Sequence, residues 1–151
     1  MTKPDYVYVT YIKTTPEKLW QALLDPEMTK LFWGHHRNVS DWQPGSRWEH
    51  RDYADESLVD IVGKVLESLP PNRLVLSWAD PVKASDPAAH SRLTFELQPF
   101  EDSVRLTVTH EQLDDEMHAA VSMGWPAVLS SLKTLMETGQ PIVSTTRRWG
   151  G

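Results

Sequence analysis

The feature that most constrains this chain is an imbalance between its two kinds of amphipathic segment. Several strand-type stretches with one apolar side are followed by a single long helical stripe. "RLVLSW" (73–78), "SRLTFELQPF" (91–100) and "SVRLTVTH" (103–110) alternate in steps of two. That alternation puts Leu74, Leu76 and Trp78 on one face, with Leu93, Phe95 and Leu97, and with Leu106, Val108 and His110. "RWEHRD" (47–52) adds Trp48 and His50. The opposite positions (Arg47, Glu49, Arg51, Thr94, Glu96, Arg105, Thr107, Thr109) are polar and are expected to meet water. Beyond "LDDEM", an acidic opening suited to a helix N-terminus, Met117, Val121, Trp125, Val128, Leu129, Leu132, Leu135 and Met136 recur at steps of three and four. One sheet face and one long helix must cover each other, since neither can bury its apolar side alone.

The remaining segments fit around that pair. "YVYVTYI" (6–12) is β-branched and aromatic, a strand signal. Thr15 precedes Pro16 and Asp25 precedes Pro26, two successive N-cap and first-turn proline pairs. The first opens a helix with Leu19, Trp20, Leu23 and Leu24 on one side, and the second ends at Leu31-Phe32-Trp33. "NVSDW" reads as a short strand, turned by "QPGS" into "RWEHRD". "SLVDIVGKVLESL" reads as a long strand whose Gly63 marks a bulge or a close backbone approach. "PPN" is a turn, and "DPVKASDPAAH" a loop. Gly139 ends the last helix and Pro141 prevents its continuation. The fold class expected is α+β: a curved antiparallel sheet of six or seven strands, two short helices, and one long C-terminal helix over the concave face. One domain over 1–151 is expected, with its core at about 5–140 and a flexible tail from 141 to 151.

Gly124-Trp125-Pro126 interrupts the long stripe. Proline inside a helix removes one donor and clashes with the preceding turn, at about 3 kcal/mol. Either the helix is kinked here to follow the sheet, or the helix proper begins at Pro126. A bend would also lift one helix end off the sheet and leave a cavity facing Trp125.

Bulk properties exclude several functions. The net charge of -6 argues against non-specific nucleic-acid binding, which needs lysines and arginines to neutralise phosphates. The basic tail "TTRRWGG" is too short to change this. No apolar run approaches a membrane span, and "MTKPDYVYV" has no signal-peptide pattern, so a cytoplasmic location is expected. Zero cysteines exclude disulfides, thiolate catalysis and Cys-ligated zinc. "GHHR" offers His35 and His36 beside His50, but adjacent histidines in extended chain point apart and no H-E-x-x-H spacing follows. No metal and no cofactor are expected. There is no G-x-S-x-G elbow for a serine nucleophile.

Five segments together resemble a known family. "TTPEKLWQALLDPEMTKLFW", with Trp20 and Trp33, is similar to the opening helices of the START-like helix-grip (SRPBCC) superfamily, which includes lipid-binding domains and polyketide cyclases. "PGSRWEHR" resembles its glycine-led hairpin. "GKVLESLPPNRLVLSW" resembles a G-x-V-x-E…P…L-x-x-x-W segment through Gly63, Val65, Glu67, Pro70, Leu74 and Trp78. "RLTVTHEQL" and "GWPAVLSSLKTLMETG" resemble the last strand and closing helix. Within the superfamily the chain is most similar to the branch named after the activator of the heat-shock-protein-90 ATPase. Pro126 departs from that pattern.

The candidate site is a chamber between sheet and helix, with Trp33, Trp48, His50, Trp78, Phe95, Leu106, Val108, His110, Trp125 and Leu129 as its ligand-binding residues. A few polar groups among large aromatics suit an apolar pocket. His50 and His110 are read either as internally satisfied histidines or as donors to a ligand oxygen. Glu67, aligned by alternation with Gly63 and Val65, is read as a strand-end residue paired with an arginine or backbone, since an unpaired inward carboxylate is costly. The leading function is binding of an apolar or aromatic small molecule for carriage, sensing or sequestration, with no catalytic residue assigned. The resemblance implies a second, contact with a heat-shock chaperone and stimulation of its ATPase, although no stretch is left for a separate amino-terminal chaperone-binding domain. A third is a cyclase- or hydrolase-type enzyme using His50, His110 or Glu67 as acid–base groups. A homodimer is also considered.

Overall fold

Seven strands form one sheet in the computed structural model, which describes residues 5–147. The elements are β1 (Tyr6–Ile12), α1 (Pro16–Leu24), α2 (Pro26–Phe32), β2 (His36–Val39), β3 (Arg47–Asp52), β4 (Val59–Leu69), β5 (Arg73–Trp78), β6 (Ser91–Phe100), β7 (Ser103–Glu111) and α3 (Asp115–Thr138). The sheet order is β1-β7-β6-β5-β4-β3-β2, antiparallel throughout. From β2 to β7 the chain is a plain meander. β1 closes the far edge against β7, with Tyr6 opposite His110 and Ile12 opposite Val104.

The local signals act as expected at most boundaries. Thr15 Oγ1 accepts the Lys18 N–H at 3.3 Å and Asp25 Oδ1 accepts the Glu27 N–H at 2.9 Å, each followed by its proline. α3 is one continuous helix from Asp115, not a helix beginning at Pro126. Asp114 caps it by accepting the Met117 N–H at 2.7 Å, and Gly139 ends it at φ +82°. Packing outweighs the proline. Val121, Trp125, Val128, Leu129, Leu132 and Leu135 are all buried, and each buried large apolar side chain contributes about 1.5–3 kcal/mol against about 3 kcal/mol lost at Pro126.

Other expectations need correction. β2 lies at 36–39 and stops before Trp42, because Ser40 and Asp41 turn the chain. Their side chains accept the Trp42 and Gln43 N–H groups, and Trp42 adopts φ +60°. β4 begins at Val59, since Asp55 holds Ser57 in a turn. Thr94, placed on the wet side, is buried there. It sits mid-sheet between Val75 and Thr109, flanked along its strand by the longer Arg92 and Glu96. Gly63 marks a close approach, not a bulge: Trp48 donates to the Ser77 carbonyl at 2.7 Å immediately over it. The bulge comes next, between Val65 and Glu67. It turns Glu67 away from Val65 and sets it opposite Val75, where it pairs with Arg73 at 3.1 Å.

The tail is docked as far as it is described. Thr145 is fully buried, its hydroxyl bonded to Ser131 Oγ and Leu31 O, while its carbonyl accepts the Gly34 N–H at 2.9 Å. The last four residues lie outside the described range. Among the described residues, no helix is long and apolar enough to cross a membrane.

Candidate functional site

The strand alternation of β2 aims His36 and Asn38 inward, and antiparallel register sets Asn38 opposite His50 of β3, which in turn faces Ile61 of β4. Trp33, at the C-cap of α2, and Trp78, the last residue of β5, close in from two sides. α3 lies across the top. Between them is a cavity of about 250 Å³ lined by Trp33, His36, His50, Asp60, Ile61, Trp78, Ala120, Val121, Gly124, Trp125 and Val128. The indoles of Trp33, Trp78 and Trp125 pack around one another at centroid separations of 5.3, 5.9 and 6.4 Å and form its inner wall. Exposed Ala120 and half-exposed Asp60 mark its mouth. Gly124 and Ala120 are the smallest residues of α3 facing the cavity; their lack of bulk keeps it open.

Two histidines supply the polarity. The rings of His36 and His50 stack at 4.3 Å, nearly parallel. His36 directs Nδ1 at Gly34 O (2.8 Å) and Nε2 at Asp60 Oδ2 (2.5 Å), so both of its ring nitrogens are engaged. His50 directs Nδ1 at Asn38 Oδ1 (2.6 Å), so Nδ1 carries the proton and Nε2 a lone pair. Nε2 has no partner among the described residues and is not sealed from the cavity. Burial, and then the neighbouring His36, hold the His50 pKa well below the usual histidine range. The cavity therefore presents a neutral imidazole acceptor.

Of the ten residues expected to form the site, Trp33, His50, Trp78 and Trp125 line the cavity. Trp48, Phe95, Leu106, Val108 and Leu129 are packed core instead. His110 is internal too, and it closes a polar relay. Trp125 Nε1–H donates to His110 Nδ1 (3.2 Å), His110 Nε2–H donates to Ser91 Oγ (2.8 Å), and Ser91 donates to Trp78 O (3.2 Å). The large residues filled the centre of the chamber, and the cavity lies at its β2–β4 end. His36, Asp60, Ile61, Ala120, Val121, Gly124 and Val128 also line the cavity and were not among the ten. Only the "GHHR" string hinted at His36. His35 turns away at φ +58° to meet Tyr53. Among the described residues no three His, Asp or Glu side chains are grouped to hold a metal ion.

His110 predicts a pH dependence of stability. Burial pushes its pKa down to about 4 from 6.5, so below pH 6.5 the unfolded chain binds the proton more readily than the folded one. The stability present above pH 6.5 is lost as pH falls towards 4, by roughly 3 kcal/mol at 1.36 kcal/mol per pH unit. Urea unfolding at pH 7, 5.5 and 4.5 should show this slope, and His110→Gln should reduce it, leaving the part that buried His50 contributes in the same direction.

A curved antiparallel sheet gripping one long C-terminal helix, with a cavity between them, defines the helix-grip class. The chain belongs to the family described as Activator of Hsp90 ATPase homolog 1-like protein, whose model matches residues 13–137. No curated protein matches the chain. Among solved structures it is similar to CalU16 from Micromonospora echinospora, with 19% identity, a TM-score of 0.72 and coverage of 94% of this chain and 81% of that one. It is also similar to the Aha1 dimer from Colwellia psychrerythraea (22% identity, TM-score 0.71, coverage 91% and 98%). An HSP90 activator from Plasmodium falciparum, PFC0360w, matches at 18% identity with a TM-score of 0.70, covering 87% and 94%. At these identities the likeness is one of fold.

Proposed function

We propose that the protein binds a small, largely aromatic molecule in the cavity under α3. The observation that carries this reading is a cavity of about 250 Å³ walled by three tryptophans and open at Asp60 and Ala120. That volume lies just below the ~300–1,000 Å³ of drug-sized sites and above the ~150 Å³ of an engineered cavity that takes benzene. A ligand of one or two rings fits it. Of the three groups considered for acid–base chemistry, only His50 lines the cavity, and a low-pKa imidazole is a weak base. The site therefore supports binding more than turnover.

Native mass spectrometry and a ligand-library thermal shift test the reading. Gly124→Leu, which places a branched side chain at the cavity wall, should abolish any ligand-induced shift. The free variant should keep its stability, since leaving glycine gains up to about 1 kcal/mol of helix preference. Equal ligand shifts in both proteins would sink the proposal.

A second reading, stimulation of a heat-shock chaperone ATPase by surface contact, is favoured by one feature. Val7, Val9, Tyr11 and Phe100 are all exposed apolar residues, with Tyr11 and Phe100 in edge contact at 5.2 Å. If this surface meets the chaperone, Val9→Asp should abolish any stimulation of ATP turnover without changing the fold.

A further inference from the structure

The spare hydrogen-bonding groups of the cavity specify more than its shape does. His36 has both ring nitrogens engaged, and Trp125 spends its N–H on His110. What remains at the cavity wall is the His50 Nε2 lone pair, which has no partner among the described residues. Asp60 adds further acceptor capacity at the mouth. A lone acceptor set among aromatic rings is matched by a hydroxyl, which can donate to it. A bare hydrocarbon would leave Nε2 stripped of water and unpaired.

Resting on the binding reading above, we infer that the ligand is a neutral phenol-type molecule whose ring hydroxyl donates to His50 Nε2. The Asn38 carboxamide decides the polarity of this contact. With its oxygen on Nδ1, the ring proton stays there and Nε2 can only accept. A carboxylate ligand brings no proton for Nε2, and it would require His50 to become an imidazolium in a buried position stacked 4.3 Å from His36. Burial and His36 both oppose that charge. Phenol is therefore favoured over benzoate of the same size. The ring lies against the tryptophan wall, and the hydroxyl gives it one orientation.

The test compares p-cresol, toluene and p-toluate by protein-detected NMR titration of the intact chain. A hydrogen bond that spares a buried acceptor should make p-cresol bind about tenfold tighter than toluene, with p-toluate weakest. His50→Leu should erase the advantage of p-cresol while toluene binding persists. Asn38→Asp, which replaces the amide with a carboxylate that stabilises a doubly protonated His50, should shift the preference towards p-toluate. Equal affinities for p-cresol and toluene in the unmodified protein, or tightest binding of p-toluate, would overturn the phenol inference and leave the pocket standing. Failure of all three to bind would overturn the pocket reading and this one with it.

Discussion

Replacing Gly63 with alanine is expected to cost at least about 3 kcal/mol, the upper end of the usual range for overpacking. The added Cβ would sit 1.8 Å from the Ser77 carbonyl oxygen and 2.6 Å from the Trp48 indole nitrogen. Neither can yield cheaply. Ser77 is backbone of β5, a strand flanked on both sides in the sheet, and Trp48 is fully buried and bonded to that same carbonyl. For a chain of this size, a loss of 3 kcal/mol lowers the melting temperature by about 10 °C. Gly45→Ala is the matched control. It has nothing within 4 Å, and only its φ of +89° resists a side chain, a penalty of about 1–2 kcal/mol. Thermal melts of both variants decide the matter; a Gly63→Ala protein as stable as Gly45→Ala would mean that the two strands are not in such close contact.

Trp125→Ala should be comparably damaging, by about 3–5 kcal/mol. Its ring contacts Trp33, Trp78, Phe95 and His110 at centroid distances of 5.3 to 6.1 Å. Its N–H is the only partner of His110 Nδ1 among the described residues. Trp125→Phe separates the two contributions. It restores much of the packing but leaves that nitrogen buried and unpaired, at about 1–3 kcal/mol. Urea denaturation of the two variants should therefore differ by about 2 kcal/mol. If both lose the same amount, the hydrogen-bond relay carries the stability and the indole packing does not.

Legibility followed the range of the interactions concerned. Thr15-Pro16, Asp25-Pro26 and Gly139 act within one turn, and each marks its boundary in the structure. The alternation from Leu74 to His110 is equally local, because a pleated strand forces it, and those inward residues are buried except Trp78, which is partly exposed at the cavity. Glu67 shows where such reasoning stops. A bulge between Val65 and Glu67 depends on the partner strand, and it sends the carboxylate to the opposite face. Pro126 shows the same from the other side: its helix is retained because tertiary burial exceeds a local penalty. The docking of Thr145 against Leu31 and Gly34 joins residues more than a hundred positions apart, which no pattern within the tail announces.

The sequence by itself determined the elements, the sides they bury and the family to which they belong, since hydrophobic period and capping chemistry are written residue by residue. Only the tertiary structure decided where space was left. Whether neighbouring side chains fill a chamber depends on how curved strands and one helix meet, and here Phe95, Leu106, Val108 and Leu129 closed the middle. The opening lies instead beside Gly124, where the His36–His50 stack and Asp60 meet three indoles.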